Sequence, residues 1–163
     1  MKELLEYRAR LTKRLVEAAD EFRSACLAVK DPQALLPAEG GWSVHQIAVH
    51  TRDVDELVYG LRARRTAVED NPDFPNFDGN IYLAENYDAS ESLTGILDDL
   101  VDHTRSLAEF LQTLPPEAWS RLSRHTTLGG GFTLQSWVEK DLAHIEEHLE
   151  TVRKRAGQGT TID

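Results

Sequence analysis

Prolines at 32, 72 and 115–116 cut the chain into four long stretches of helical periodicity. Proline lacks the N–H that the helix ladder needs and its ring clashes with the preceding turn, so each break ends one helix. The first stretch runs from about residue 3 to 28, with Leu4, Leu11, Leu15, Phe22, Cys26 and Val29 on an i, i+3/i+4 stripe, and Asp31-Pro32 stops it. The second opens at Ser43, which with Gln46 matches a capping box, and continues to about Asp70. Its apolar line is Val44, Ile47, Thr51, Val54, Leu57 or Val58, and Leu61, and Asn71-Pro72 ends it. The third is expected to begin after Asp88, with Glu91 as its box partner, and to pass through Leu93, Leu97, Leu100, Leu107 and Leu111 as far as Leu114. The fourth starts near Thr133 and ends near Ala156, where Gly157 closes it. No strand pattern competes. Ser123 to Phe132 has room for a hairpin but is too short to build a sheet.

The expected fold is therefore a single all-α domain over residues 1–156, a four-helix bundle, followed by a flexible tail at 157–163. One connection is unusual. Residues 71–88, NPDFPNFDGNIYLAENYD, make an 18-residue link where 2–8 residues are usual between neighbouring helices. Such a link either carries function or crosses the length of the bundle.

Bulk properties exclude several functions. The net charge of −10 repels phosphate backbones over most of the surface, which argues against nucleic acid as a partner. No apolar run approaches the ~20 residues that span a bilayer. The N-terminal MKELLEYRARLTKRL is charged throughout and lacks a signal core, and the lone Cys26 forms no internal disulfide, so the expected location is the cytoplasm.

Chemistry is concentrated in DLAHIEEHLE, residues 141–150. At 100° per residue Asp141, His144 and His148 share one stripe of the fourth helix, at the margin of its apolar face. Two histidines and a carboxylate turned towards a core are costly unless something pairs with them. A third metal ligand has to come from a facing helix at the same height. His50 lies about seven residues into the second helix and His148 about eight from the end of the fourth, so the depths match if those helices are antiparallel. An up-down-down-up order makes them so and needs a crossover between helices two and three, which the 18-residue link supplies. His45 is expected to be solvated in the first turn of helix two. His103 is expected either to pack in the core or to support the site, and His125 falls in a loop. His50, His144 and His148 would leave a coordination position open, as catalytic zinc sites do, and imidazole suits zinc and nickel alike.

GWSVHQIAVH at 41–50, YDASESL at 87–93 and GGFTLQSWVEKDLAHIEEHLETV at 130–152 together resemble the DinB superfamily. Its YfiT-like members are four-helix, up-down-down-up proteins, and the resemblance covers roughly residues 5–156. Trp42-Ser43, His50, His144 and His148 fall on its pattern, while Thr151 stands where a different polar residue is often found. The resemblance implies a divalent metal on the three histidines. It also implies thiol-dependent chemistry, such as transfer of a low-molecular-weight thiol onto an electrophile, with a stress-response role and a homodimer.

Three functions stay open: a metal-dependent thiol S-transferase, a metal-dependent hydrolase, and a metal-binding protein without turnover. In the first two a small molecule is the partner. Asp141 is expected to support an imidazole or to accept a proton. Phe74, Phe77, Tyr82, Tyr87 and the glycines at 129–131 are expected at the pocket mouth. Tyr59, Val68 and an exposed Trp119 are the surface on which a homodimer would rest.

Overall fold

The computed structural model describes residues 1–36 and 41–158. Helix α1 spans Lys2–Leu27 and buries Leu11, Leu15, Phe22 and Cys26 along its stripe. Helix α2, Val44–Val54, begins at the Ser43 capping box: the Ser43 side chain accepts from the Gln46 amide, and the Gln46 side chain accepts from the Ser43 amide. It runs on through a π turn, Asp55–Tyr59, into α3, Gly60–Val68, with right-handed helical backbone at both joints. The π turn inserts a residue into the repeat and advances the phase. Of the two residues the sequence left open for the apolar line, Val58 is buried and Leu57 exposed; beyond it Arg62 and Thr66 are buried, while Leu61, also read on that line, is exposed.

Helix α5, Leu93–Gln112, starts later than its sequence suggests. Ser92 is the N-cap, accepting from the Gly95 amide, and Asp88 accepts instead from the amide and hydroxyl of Ser90 in the preceding loop. Helix α6, Leu134–Gln158, runs through Gly157 rather than ending before it. Residues 159–163 of the anticipated tail lie outside the described residues.

Cross-helix pairs give the relative directions. His50 meets His148, Tyr59 meets His144 and then Trp137, and Arg62 lies over Trp137. Numbers rise along α2–α3 as they fall along α6, so the two are antiparallel. Arg8 with Gln135 and Arg14 with Glu146 make α1 and α6 parallel. Arg23 with Asp98 and Asp20 with Arg105 make α1 and α5 antiparallel. Between these helices lies one core containing Leu15, Phe22, Ile47, Leu97, Trp137 and Ile145.

A small sheet departs from the all-helical expectation. Strand β1, Asp73–Phe74, pairs in parallel with β2, Leu122–His125, which pairs antiparallel with β3, Gly129–Thr133. Gly129 and Gly131 hold φ of 93° and 86°, backbone that side chains disfavour, and this lets so short a ribbon close. The Trp137 indole N–H donates to Ser123 Oγ at 2.8 Å, and that hydroxyl donates to the Phe132 carbonyl at 2.9 Å. The hairpin is thereby pinned to the first turns of α6. Between β1 and α5 the long link carries its own helix, α4, Gly79–Asn86, capped by Asp78.

Two further expectations fail for the same reason, burial by residues distant in sequence. His45 is buried: its Nε2–H donates to the Glu91 carbonyl at 2.7 Å, and its Nδ1 accepts from the Tyr87 hydroxyl at 2.7 Å. Trp119 is also buried, beneath the Arg8 guanidinium, so it offers no dimer surface.

Candidate metal centre

Three imidazoles converge between α2 and α6. Nε2 of His144 lies 3.1 Å from Nε2 of His50 and 3.0 Å from Nε2 of His148. All three donor atoms fall within 4.8 Å of one another. His144 and His148 reach one point because residues four apart share a helix face, and the antiparallel packing brings His50 to the same height. The ring of Trp42 flanks His50 at 4.9 Å between centroids. On the other side α4 begins so close that a Cβ on Gly79 would sit 2.6 Å from Cε1 of His50.

Burial keeps these rings neutral. It lowers His50 to about 4, with the neighbouring His148 adding to the effect, and lowers His148 to about 4. His144 falls to about 2, through burial first and then its two neighbours. Each neutral ring carries one N–H, and a single proton cannot satisfy three nitrogens that face one another. The buried Nδ1 of His144 has no hydrogen-bond partner among the described residues, so its own proton is unmatched as well. Donors ~2.0–2.1 Å from a tetrahedral zinc are about 3.4 Å apart, a few tenths of an ångström wider than the two Nε2 separations from His144. The donor set fits a divalent cation.

Asp141 lies one turn from His144 but hydrogen-bonds none of the imidazoles. It is fully buried against Asp55, at the π turn. Burial raises both carboxyls, and Asp55 raises Asp141 further. Two carboxyls this deep attract only when one keeps its proton. His103 stays on the far side of that pair, 4.0 Å from Asp55 and 3.6 Å from Glu56.

A cavity of about 250 Å³ opens onto His50 and His144, bounded by Tyr59, Arg62, Asn76 and His125 among others. Phe77 and Leu128 complete its wall. Of the other residues expected at its mouth, Tyr82 packs tilted against Phe77, Phe74 is buried against Trp137, and Tyr87 serves His45. Neither Arg62 nor His125 carries a local sequence signal for this place. Arg62 was out of phase with the apolar line, and only β2 fixes where His125 points.

Cys26 is no rival centre. Its thiol is buried in the stripe of α1 and pushed up to about 12, where almost none is thiolate at neutral pH.

A model of the DinB superfamily matches residues 14–152. Among solved structures, the chain is similar to YfiT from Bacillus subtilis, described as a probable metal-dependent hydrolase with an unusual four-helix bundle topology. The identity is 23%, the TM-score 0.75, and the match covers 91% of this chain and 86% of that one. At this identity the likeness speaks to the fold. No curated protein sequence matches the chain at a significant level.

Proposed function

We propose that this chain, which belongs to the DinB superfamily, holds one divalent cation on His50, His144 and His148 and is a metal-dependent hydrolase of a small molecule. The observation that carries the reading is the convergence of three neutral, buried Nε2 atoms. A divalent cation so held supplies Lewis acidity, polarising an oxygen and lowering the pKa of a water or thiol beside it. Zinc and nickel both suit an all-imidazole set.

The chain's own residues do the rest. Burial holds the imidazoles unprotonated, so protons do not compete with the cation until well below neutral pH. Val54, Val58, Phe77 and Leu128 form the apolar part of the wall. A space of about 250 Å³ holds one small molecule beside the cation, which favours water as nucleophile over a bulky thiol cosubstrate. YfiT, the solved relative, is described as a probable hydrolase, in the same direction.

The test loads the protein with zinc or nickel and measures ester and amide hydrolysis, and loss of free thiol with a model electrophile, side by side. Hydrolysis without added thiol, abolished in His148→Ala together with the bound metal at native helicity, is the expected result. Turnover that requires thiol would make the protein an S-transferase instead. Full metal stoichiometry in His144→Ala by elemental analysis would remove the metal centre.

A further inference from the structure

Besides His50 and His144, the cavity is lined by the hydrogen-bond donors Arg62, Asn76 and His125. Arg62 is buried to 8% exposure, yet its guanidinium has no carboxylate partner within 4 Å among the described residues. One of its N–H groups donates to the Pro75 carbonyl at 2.9 Å. Its flat face lies over Trp137 at 4.8 Å and Phe74 at 5.7 Å, which fixes the plane and leaves the remaining donors at the edge. Among the described residues one protein acceptor serves its five donors, so the others are free for oxygens in the cavity that Arg62 lines.

His125 adds a second donor. Its Nδ1 accepts from the backbone amides of Thr127 and Leu128, each at 3.1 Å, so that nitrogen carries the lone pair and Nε2 carries the proton. No protein acceptor takes that proton among the described residues. Asn76 brings an amide to the same cavity. In a chain with 28 acidic residues, no aspartate or glutamate lines the cavity among the described residues. Asp73, the carboxylate that acts on His125, is exposed on β1 and stands outside the lining.

We infer that Arg62 and the Nε2–H of His125 form an oxyanion-binding subsite facing the histidine cluster across one cavity, so that the substrate is a small molecule with a carboxylate or phosphoryl group at the end away from the reacting bond. The inference rests on the metal reading above only for where the other end of the substrate sits. Arg62 holds the anion in its guanidinium fork, His125 adds a single hydrogen bond, and neutral analogues leave both donors unmatched.

Two-ended probes test this on the zinc-loaded protein. Succinohydroxamate and glutarohydroxamate carry a carboxylate opposite a metal-binding head, 3-phosphonopropanohydroxamate carries a phosphonate there, and pentanohydroxamate is the neutral control. By calorimetry the better acidic probe should bind roughly ten- to a hundredfold tighter than the control. The carboxylate and phosphonate arms tell which oxyanion the site prefers. Arg62→Gln should abolish that advantage and leave pentanohydroxamate binding unchanged. His125→Asn, whose Oδ1 can still accept the two amides, should reduce it only in part. An acidic probe no tighter than the control, or an advantage that survives Arg62→Gln, overturns the subsite.

A second measurement separates this from failure of the metal reading. In the metal-free protein, the Nε–Hε resonance of Arg62 should shift on titration with acetate or inorganic phosphate, with no variant or cation required. If zinc does not load and this resonance still moves, the metal centre falls and the subsite stands. If it stays fixed with both anions, the subsite falls.

Discussion

At His50 the position of a side chain is set by the backbone of another segment. Helix α4 starts against its ring, and the missing side chain of Gly79 is what allows the approach: a Cβ there would lie 2.6 Å from Cε1. No real Cβ contact is that short, so in Gly79→Ala either the ring leaves the histidine cluster or α4 lifts away. Metal affinity should fall roughly 10- to 100-fold, as when groups that orient a ligand are removed. Helicity should remain native, because the contact lies in the long link and not in the core. Competition with a chromophoric chelator measures the affinity. Unchanged affinity would mean that His50 is free to move aside and that α4 does not position it.

At the scale of the element, the π turn between α2 and α3 decides which residues face the cavity. Its closing bond runs from the Gly60 amide to the Asp55 carbonyl, and a Cβ on Gly60 would meet that carbonyl oxygen at 2.5 Å. Replacing a helix glycine by alanine ordinarily stabilises by nearly 1 kcal/mol. Here the added methyl collides with backbone, and the only relief is to unwind the turn that gives Arg62 its phase. Gly60→Ala should therefore destabilise the fold by about 1–3 kcal/mol, the usual scale for overpacking. Urea denaturation checks the sign. A more stable Gly60→Ala protein would show that the turn relaxes to regular α-helix at no cost.

For the whole molecule, buried ionisable groups tie stability to pH from two sides. The unfolded chain protonates its histidines near 6.5, whereas the folded one refuses protons at His50 and His148 until about 4 and at His144 until about 2. Between these values the unfolded state binds more protons, so stability is present above about 6.5 and is lost as the pH falls. Each imidazole contributes a slope of up to ~1.4 kcal/mol per pH unit, less for the water that reaches the cavity. The pair Asp55 and Asp141 acts in the opposite sense. Its folded carboxyls hold protons above the ordinary range, so their contribution is complete below about 4 and is lost as the pH rises. Three imidazoles outweigh the pair between pH 6.5 and 5. The urea midpoint of the metal-free protein should fall on acidification across that window and decline again at alkaline pH. A midpoint that rises from 6.5 to 5 would mean that the histidines titrate freely.

The local code of this chain was sufficient for three of its long helices to be placed at their starts. Proline breaks, the Ser43 capping box and the 3.6-residue stripes set where α1, α2 and α6 begin and what they bury, because these are interactions among residues a few positions apart. The i, i+4 pair His144 and His148 was legible for the same reason, and the family pattern pointed to His50 as the third of the group. Everything that depended on distant partners was decided by the tertiary structure. His45 looked solvated from its helix alone and is buried because Tyr87 and Glu91 arrive from the segment that precedes α5. The hairpin from Leu122 to Thr133 has too few residues to hold itself together, and it exists because β1 and Trp137 lend it partners. Arg62 could not be placed from periodicity, since one extra residue in the π turn rotates it from the flank of the apolar line into the cavity. Asp141 was readable as inward but not as the neighbour of Asp55, because that proximity is set by the packing of two helices. The sequence by itself determined the helices and the histidines they carry; the packing between helices determined the charge and the shape of the space those histidines face.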